Sequence, residues 1–282
     1  MKEAVPFLKW AGGKRQLLPE ILSRLPERCV TYYEPFLGGG AVFFALAARG
    51  AFRRAIIGDQ NRELVDAYLG VRDDVEGVIS RLARLSRKPH DSDTYYGVRA
   101  QDPARLGLAA RTARLIYLNR TGYNGLYRVN RTGRFNVPFG RYKNPRILDR
   151  DNLRAASRVM QGVQIRVGDF EAFVEKAEPG DVVYFDPPYV PVSTTSSFTA
   201  YDRLPFGPAE QDRLARTLRR LRKKKVYALL SNSDVRFTRG LYEGLPLEAV
   251  KVNRLINSRP DRRGPIFELL VSSLSRIPAP PA

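Results

Sequence analysis

The sequence predicts a Rossmann-like, doubly wound α/β sheet, split along the chain by a mainly helical insertion. Strand, turn, helix and strand follow one another from Val30 to Asp59, which is a βαβ unit. From Glu63 to about Arg158 strand patterning vanishes, and helical stretches alternate with Gly- and Asn-rich loops. Apolar strands then return at Val163–Val167, Asp181–Phe185 and Lys225–Leu230. This pattern predicts a discontinuous sheet domain of residues 1–61 and 159–276, an inserted domain of residues 62–158 and a loose tail at 277–282.

Taken in order, Val30–Glu34 is rich in strand-forming residues, Gly38-Gly39-Gly40 breaks it, and Ala41–Ala48 reads as a helix. Ala55-Ile56-Ile57 is a short apolar strand ending at Asp59. Val163–Val167 leads to Asp169, and Asp181–Phe185 runs straight into Asp186-Pro187-Pro188-Tyr189. A long helix follows, with Arg213, Arg216, Arg220 and Lys224 on a solvated face opposite Leu214, Leu218 and Leu221. After the strand from Lys225, Leu247–Val252 and Phe267–Leu274 form a closing antiparallel pair.

With 282 residues and 43% hydrophobic content, the chain can fill a sizeable core. Lys and Arg total 48 against 29 Asp and Glu, a formal charge of +19, which points to a phosphate polymer or an anionic surface as partner. The longest apolar stretch, Ala41–Ala48, falls far short of the roughly 18 residues that span a bilayer, and no signal-peptide pattern opens the chain, so no membrane partner is expected. A single cysteine, Cys29, excludes an internal disulfide and suits a reducing cytoplasm. With His90 as the single histidine, zinc deaminase sites, His-based metal clusters and Cys–His dyads all lack their members, and no metal is expected. His90, in Lys88-Pro89-His90-Asp91, reads as a solvated loop residue.

Asp186-Pro187-Pro188-Tyr189 places a carboxylate, a rigid turn and an aromatic face at one strand end. An exocyclic amine on a heteroaromatic ring is a poor nucleophile because its lone pair is delocalised, so alkylating it requires acceptors that draw the nitrogen toward tetrahedral geometry. Asp186 and the Pro187 carbonyl can each accept one N–H, neither Pro187 nor Pro188 offers a competing backbone donor, and Tyr189 can stack on the ring. The bland alternative, a proline pair that merely stops a strand, leaves the flanking Asp and Tyr without a purpose.

Glu34-Pro35-Phe36-Leu37-Gly38-Gly39-Gly40 lies between strand and helix, where a nucleotide-like ligand approaches backbone closely, and Asp59 follows Gly38 at the spacing of an acid that binds ribose hydroxyls. A structural turn with a helix-capping acid and a dinucleotide site are the alternatives; against the latter, the glycines are consecutive rather than spaced G-x-G-x-x-G. Phe7-Leu8-Lys9-Trp10-Ala11-Gly12-Gly13-Lys14 is no P-loop, because Arg15 stands where magnesium binding needs Ser or Thr. Trp10 could instead cover an adenosine or a sulfonium group.

From Arg111 to Arg150 ten basic residues face one acid, Asp149, and are interleaved with Tyr117, Tyr123, Tyr127, Phe135, Phe139 and Tyr142. Basic residues grip phosphates while aromatics wedge or stack between bases. Tyr123-Asn124-Gly125-Leu126-Tyr127-Arg128 reads as a loop able to enter a duplex, where Asn pairs with adenine and Arg with guanine.

Together these segments, with Asn119-Arg120-Thr121-Gly122-Tyr123-Asn124-Gly125-Leu126, Phe135-Asn136-Val137-Pro138-Phe139-Gly140-Arg141-Tyr142 and Phe198-Thr199-Ala200-Tyr201, resemble the Dam-type DNA adenine-N6 methyltransferases of the D12 class. The resemblance implies S-adenosylmethionine as methyl donor and a flipped adenine in double-stranded DNA as acceptor. It implies a cofactor pocket of Trp10, Ala11, Gly12, Lys14, Glu34, Phe36, Gly38, Gly40, Asp59, Asp169, Phe170 and Asp186. The catalytic set it implies is Asp186, Pro187, Pro188 and Tyr189. Lys9, Tyr123, Asn124, Leu126, Arg128, Pro138 and Tyr142 match DNA-contacting positions: Tyr123 as the intercalating wedge, Asn124 as its companion, and Leu126, Arg128 and Pro138 as base readers. Arg128 fills the guanine-reading position of GATC-specific members, so GATC is the expected target of a cytoplasmic, nucleoid-associated monomer, solitary or half of a restriction-modification pair. Cytosine N4, an RNA base or a protein amide stays open as the alternative acceptor, and a non-catalytic DNA-binding protein or a nicotinamide-dependent oxidoreductase as alternatives of another class.

Overall fold

The computed structural model of the chain describes residues 3–10, 12, 14, 16–190, 206–252, 266–277 and 279. Ala11, Gly13 and the Phe198–Tyr201 segment singled out above lie outside the described residues. Within them, seven strands form one sheet in the order β3-β2-β1-β4-β5-β7-β6. These are β1 (Cys29–Glu34), β2 (Phe52–Asp59), β3 (Gln164–Val167), β4 (Val182–Phe185), β5 (Tyr227–Ser233), β6 (Leu247–Val252) and β7 (Ile266–Ser272). β1 to β5 pair in parallel, and β7 runs antiparallel between β5 and β6.

Alternate side chains on the central strands enter different layers, as a period of two requires. Tyr32, Ile57, Val182, Tyr184 and Leu229 face one core. It also holds Phe43 and Phe44 of α2 (Ala41–Ala48) and Leu64 and Val65 of α3 (Arg62–Asp73). Tyr33, Val183, Phe185, Ala228 and Leu230 face the other. Phe170 and Phe173 of α8 (Phe170–Val174), and Leu214 and Leu218 of α9 (Pro208–Lys223), cover that side. Fully burying each such side chain is worth about 1.5–3 kcal/mol, so the two layers hold the central strands rigid. The crossovers leave β1 and β4 in opposite directions, which creates a switch point between their carboxyl ends, the place where such sheets bind ligands.

Between β2 and β3 come α3, α4 (Val75–Ser86), α5 (Ser92–Ala100), α6 (Leu108–Thr121) and α7 (Arg150–Met160). Their starts follow from sequence: the side chains of Asn61, Asp74, Asp91 and Asp149 each accept a backbone N–H in the first turn of α3, α4, α5 and α7. Val78 and Ile79 of α4, Leu115 and Ile116 of α6 and Leu153 of α7 belong to the same buried cluster as Tyr184 and Leu229, so this helical stretch is continuous with the sheet's core on that face. His90, expected in solvent, is half-buried with its ring 5.0 Å from that of Phe139.

Two strands, β2 and β5, depart most from the sequence expectation, each by three residues at one end. β2 begins at Phe52 because Phe52 and Arg54 still pair with Cys29 and Thr31 of β1, while exposed Arg53 and Arg54 break the apolar pattern. β5 begins at Tyr227, after Lys225 turns through φ 58°, and runs on to Ser233. Polar Ser231, Asn232 and Ser233 read as strand end, yet all three are buried and paired with β7.

Candidate active site

The glycine turn sits at the carboxyl end of β1. Gly38 and Gly40 have φ of 47° and 69°; a Cβ on Gly38 would lie 2.9 Å from the Trp10 ring, and one on Gly40 would lie 2.8 Å from the Tyr68 hydroxyl. Only glycine lets the backbone hold this turn under Trp10. Asp59, ending β2, accepts from Gly38 N at 3.2 Å and Asn61 N at 3.1 Å, so it locks the turn to its neighbour strand. Trp10 itself stacks on Tyr127, rings 5.2 Å apart and 26° inclined. On the other core's side, Phe36 stacks on Phe170 at 5.5 Å. Asp169 caps α8 through Glu171 N, is reached at 3.4 Å by Gln60 just after β2, and pairs with Arg213 of α9.

Glu34 is 2% exposed, with Tyr32 donating to its Oε2 at 2.8 Å. Burial lifts its carboxyl to about 8, against the Tyr32 hydrogen bond and with nearby Asp186 adding to the rise. A second acid lies beside it, paired with a lysine.

That acid, Asp186, follows β4 directly. Lys14, 6% exposed, places Nζ 2.7 Å from Asp186 Oδ1, 2.7 Å from the Gly12 carbonyl and 4.4 Å from the centroid of the Tyr189 ring. A nitrogen donor thus sits between a carboxylate, a backbone carbonyl and an aromatic face. Burial pushes the Asp186 carboxyl above its usual range, and the Lys14 ammonium pulls it back. Ser231 on β5 donates to Asp186 Oδ1 at 3.2 Å and is itself 2.9 Å from the Tyr184 hydroxyl. The Tyr189 hydroxyl donates to Glu268 of β7 at 2.6 Å, tying the ring to the sheet. Pro187 is buried and Pro188 exposed.

The loop after α6 carries the residues matched to DNA contacts. Asn119 braces it by accepting from Lys9 N at 2.7 Å and donating to the carbonyls of Lys9 at 2.7 Å and Gly125 at 2.9 Å. This ties the loop to the backbone of Lys9. Tyr123 is 53% exposed, its backbone N held by the Pro138 carbonyl at 2.9 Å, and Asn124 follows at φ 53°. Leu126 packs partly against the core. Arg128 is exposed and donates from Nε to Asn136 Oδ1 at 2.7 Å and from Nη2 to the Asn136 carbonyl at 3.1 Å, in a hairpin-like turn closed by the Val129–Phe135 bridge. Lys9 Nζ lies 4.8 Å over the Tyr142 ring, and burial lowers its pKa, with Arg120 adding to the effect.

Comparison with known proteins decides the family. Residues 10–256 match the model of the D12 class N6 adenine-specific DNA methyltransferases. The chain belongs to that family. Relatives include the Type II methyltransferase M.MjaIII of Methanocaldococcus jannaschii, 43% identical over 285 residues with 95% of this chain and 99% of the relative covered. The DNA adenine methylase of Haemophilus influenzae is 37% identical, covering 94% of this chain and 92% of its own length. That of Escherichia coli K12 is also 37% identical, with 96% and 95% covered. The enzyme is an adenine-specific DNA methyltransferase, which uses a methyl-donor cofactor and a DNA substrate. Among the described residues no group of three or more His, Cys, Asp or Glu is arranged to hold a metal, and no helix is long and apolar enough to cross a membrane.

The fold brings Trp10, Gly38 and Asp59 together, joins Phe36 to Phe170, and gathers Gly12, Lys14, Asp186 and Tyr189. Sequence reasoning missed Ser231, Asn232, Ser233, Gln211 and Glu268, which surround the Asp186–Tyr189 turn of the enzyme. Three consecutive polar residues ending an apolar strand were the signal available, since such residues are buried only when their hydrogen bonds are met.

Proposed function

We propose that the enzyme transfers a methyl group from S-adenosylmethionine to N6 of an adenine extruded from duplex DNA, with GATC as its target. The observation that carries the reading is the Lys14 nitrogen, which already rests on Asp186 Oδ1 and over the Tyr189 ring at 4.4 Å, the surroundings an aromatic amine needs. The target N6 takes that place once Lys14 swings aside, and the Pro187 carbonyl becomes its second acceptor. Two acceptors aimed at the N–H bonds localise the lone pair, and the purine stacks on Tyr189 held by Glu268. Asp186 serves as a carboxylate and not as a strong base: after transfer the nitrogen's extra proton is acidic and leaves to solvent.

The donor set fits S-adenosylmethionine. Asp59 beside a backbone turn open to close approach suits ribose hydroxyls, Phe36 and Phe170 with Asp169 suit an adenine ring, and Trp10, Gly12, Lys14, Glu34 and Gly40 complete the wall. When bound, S-adenosylmethionine supplies an electrophilic methyl group on sulfur. Residues 1–61 and 159–276 carry this chemistry, and residues 62–158 read the target: Tyr123 fills the gap left by the adenine, Asn124 accompanies it, and Leu126, Arg128, Pro138, Lys9 and Tyr142 face the duplex. Extrusion costs a few kcal/mol, offset by stacking on Tyr189 and by the Tyr123 wedge.

The test supplies labelled S-adenosylmethionine and a pool of randomised duplexes, then digests and sequences the product. Label in N6-methyladenine within GATC supports the proposal; label in cytosine, or in adenine without sequence context, refutes it.

A further inference from the structure

Three polar contacts reach the backbone that follows Asp186 from side chains of α9 and β5, and two more fix those side chains in place. Gln211 Nε2 donates to the Pro188 carbonyl at 2.9 Å, and Gln211 Oε1 accepts from Asn232 Nδ2 at 3.0 Å. Asn232 Oδ1 in turn accepts from Val190 N at 3.2 Å and Ser233 N at 2.8 Å, while the Ser233 hydroxyl donates to the Val190 carbonyl. Gln211 is 1% exposed and Asn232 is wholly buried. The carbonyl before Tyr189 and the N–H after it are thus captured by two side-chain amides bonded to each other, a closed ring that spans Tyr189. Each amide can satisfy this ring in one orientation only, because Pro188 offers an acceptor and Val190 a donor.

Two buried amides are costly to place in an apolar layer unless every group is paired, and a hydrophobic pair would pack there without that demand. What the amides fix that apolar side chains cannot is the peptide orientation on both sides of Tyr189. That orientation sets where the Tyr189 ring stands relative to Asp186 and the Pro187 carbonyl. We propose that the Gln211–Asn232 amide pair is a positioning element for methyl transfer, holding the Asp186–Tyr189 turn in the geometry that receives the target amine. This rests on the reading of that turn as the amine-holding site.

The test compares Gln211→Met, Gln211→Glu and Asp186→Ala with the parent chain. The readouts are single-turnover methylation at saturating duplex and S-adenosylmethionine, Kd for each ligand, and melting temperature. A misplacement of about 1 Å costs about 100-fold in rate. Gln211→Met is therefore expected to slow the single-turnover step by roughly 10- to 100-fold while both Kd values stay within about threefold. In Gln211→Glu a protonated carboxyl restores one donor and one acceptor, whereas a carboxylate repels the Pro188 carbonyl. The rate relative to the parent is therefore expected to climb as pH falls from about 8 to about 5, across the range in which a buried Glu titrates. A Gln211→Met chain with a lowered melting temperature but a parental single-turnover rate overturns the inference. Should that variant fail to fold, a Gln211→Glu rate ratio that is flat with pH overturns it instead. Turnover retained in Asp186→Ala defeats the underlying site reading; an inactive Asp186→Ala beside an unimpaired Gln211→Met defeats the positioning role alone.

Discussion

Lys14→Met tests how the buried charge pair sets the working pH of the enzyme. Lys14 Nζ lies 2.7 Å from Asp186 Oδ1, with the lysine side chain 6% and the aspartate side chain 21% exposed, so solvent screens the pair only in part. Burial already holds the Asp186 carboxyl above its usual range, and Lys14 is the main group opposing that rise. An opposite charge at this range lowers a carboxyl by about 1–3 pH units, so its removal lets Asp186 rise by a similar amount. In the proposed mechanism Asp186 accepts the target N–H bonds as a carboxylate, so activity is expected above its pKa and lost as pH falls through it. The acid limb of kcat/KM for duplex, which reports the free enzyme, therefore moves upward by about 1–3 pH units in Lys14→Met. Lys14→Gln, which keeps a donor but no charge, moves the limb in the same direction. Breaking a buried pair costs about 3–5 kcal/mol, so rates are normalised to the folded fraction at each pH. An acid limb that stays at the parental pH in both variants would show that the Lys14 charge does not govern Asp186.

Glu34, lifted from 4.5 to about 8, keeps its proton in the fold while the unfolded chain releases it. Stability should thus fall as pH rises from about 4.5 to 8, by about 5 kcal/mol at 1.36 kcal/mol per pH unit, and Glu34→Gln should flatten that slope in urea titrations; an equal slope in both chains contradicts the assignment. Arg128→Ala should relax preference at one base pair by about 1–3 kcal/mol of discrimination, and an unchanged site logo from a randomised pool argues against base reading by Arg128. With a formal charge of +19, affinity for duplex should drop along a log–log salt plot by about 0.9 per phosphate neutralised, and a flat plot rules out a phosphate-dominated interface.

The parallel strands were legible because each is a short apolar run with a clear stop, and Asp181–Phe185 into Asp186-Pro187-Pro188-Tyr189 placed the acid at a sheet edge without any structure. That Gly38 and Asp59 would lie at neighbouring strand ends was legible for the same reason, since consecutive parallel strands put their carboxyl ends side by side; the hydrogen bond from Gly38 N to Asp59 was not. The Lys14–Asp186 pair was not: the two residues are far apart in sequence, and which nearby group a lysine reaches is decided by tertiary packing, of which the Asn119 hold on Lys9 is a part. The supports of Tyr189 were hidden more deeply. Gln211 falls within the α9 sequence that read as a helix with one apolar and one basic face, and Asn232 and Ser233 resemble a turn until their buried hydrogen bonds are seen. Local pattern reports burial and direction, whereas a polar side chain's partner is chosen by tertiary packing.

The central claim is that Asp186 and Tyr189 hold the amino nitrogen of an extruded adenine where Lys14 now places its own. A crystal structure of the enzyme with a GATC duplex and a non-reactive donor analogue tests it directly. The expected result is N6 within roughly 2.6–3.2 Å of Asp186, the purine on the Tyr189 ring and Lys14 Nζ displaced from both. An adenine still stacked in the duplex, with Lys14 still on Asp186, or one extruded into a site that Asp186 does not reach, would contradict it.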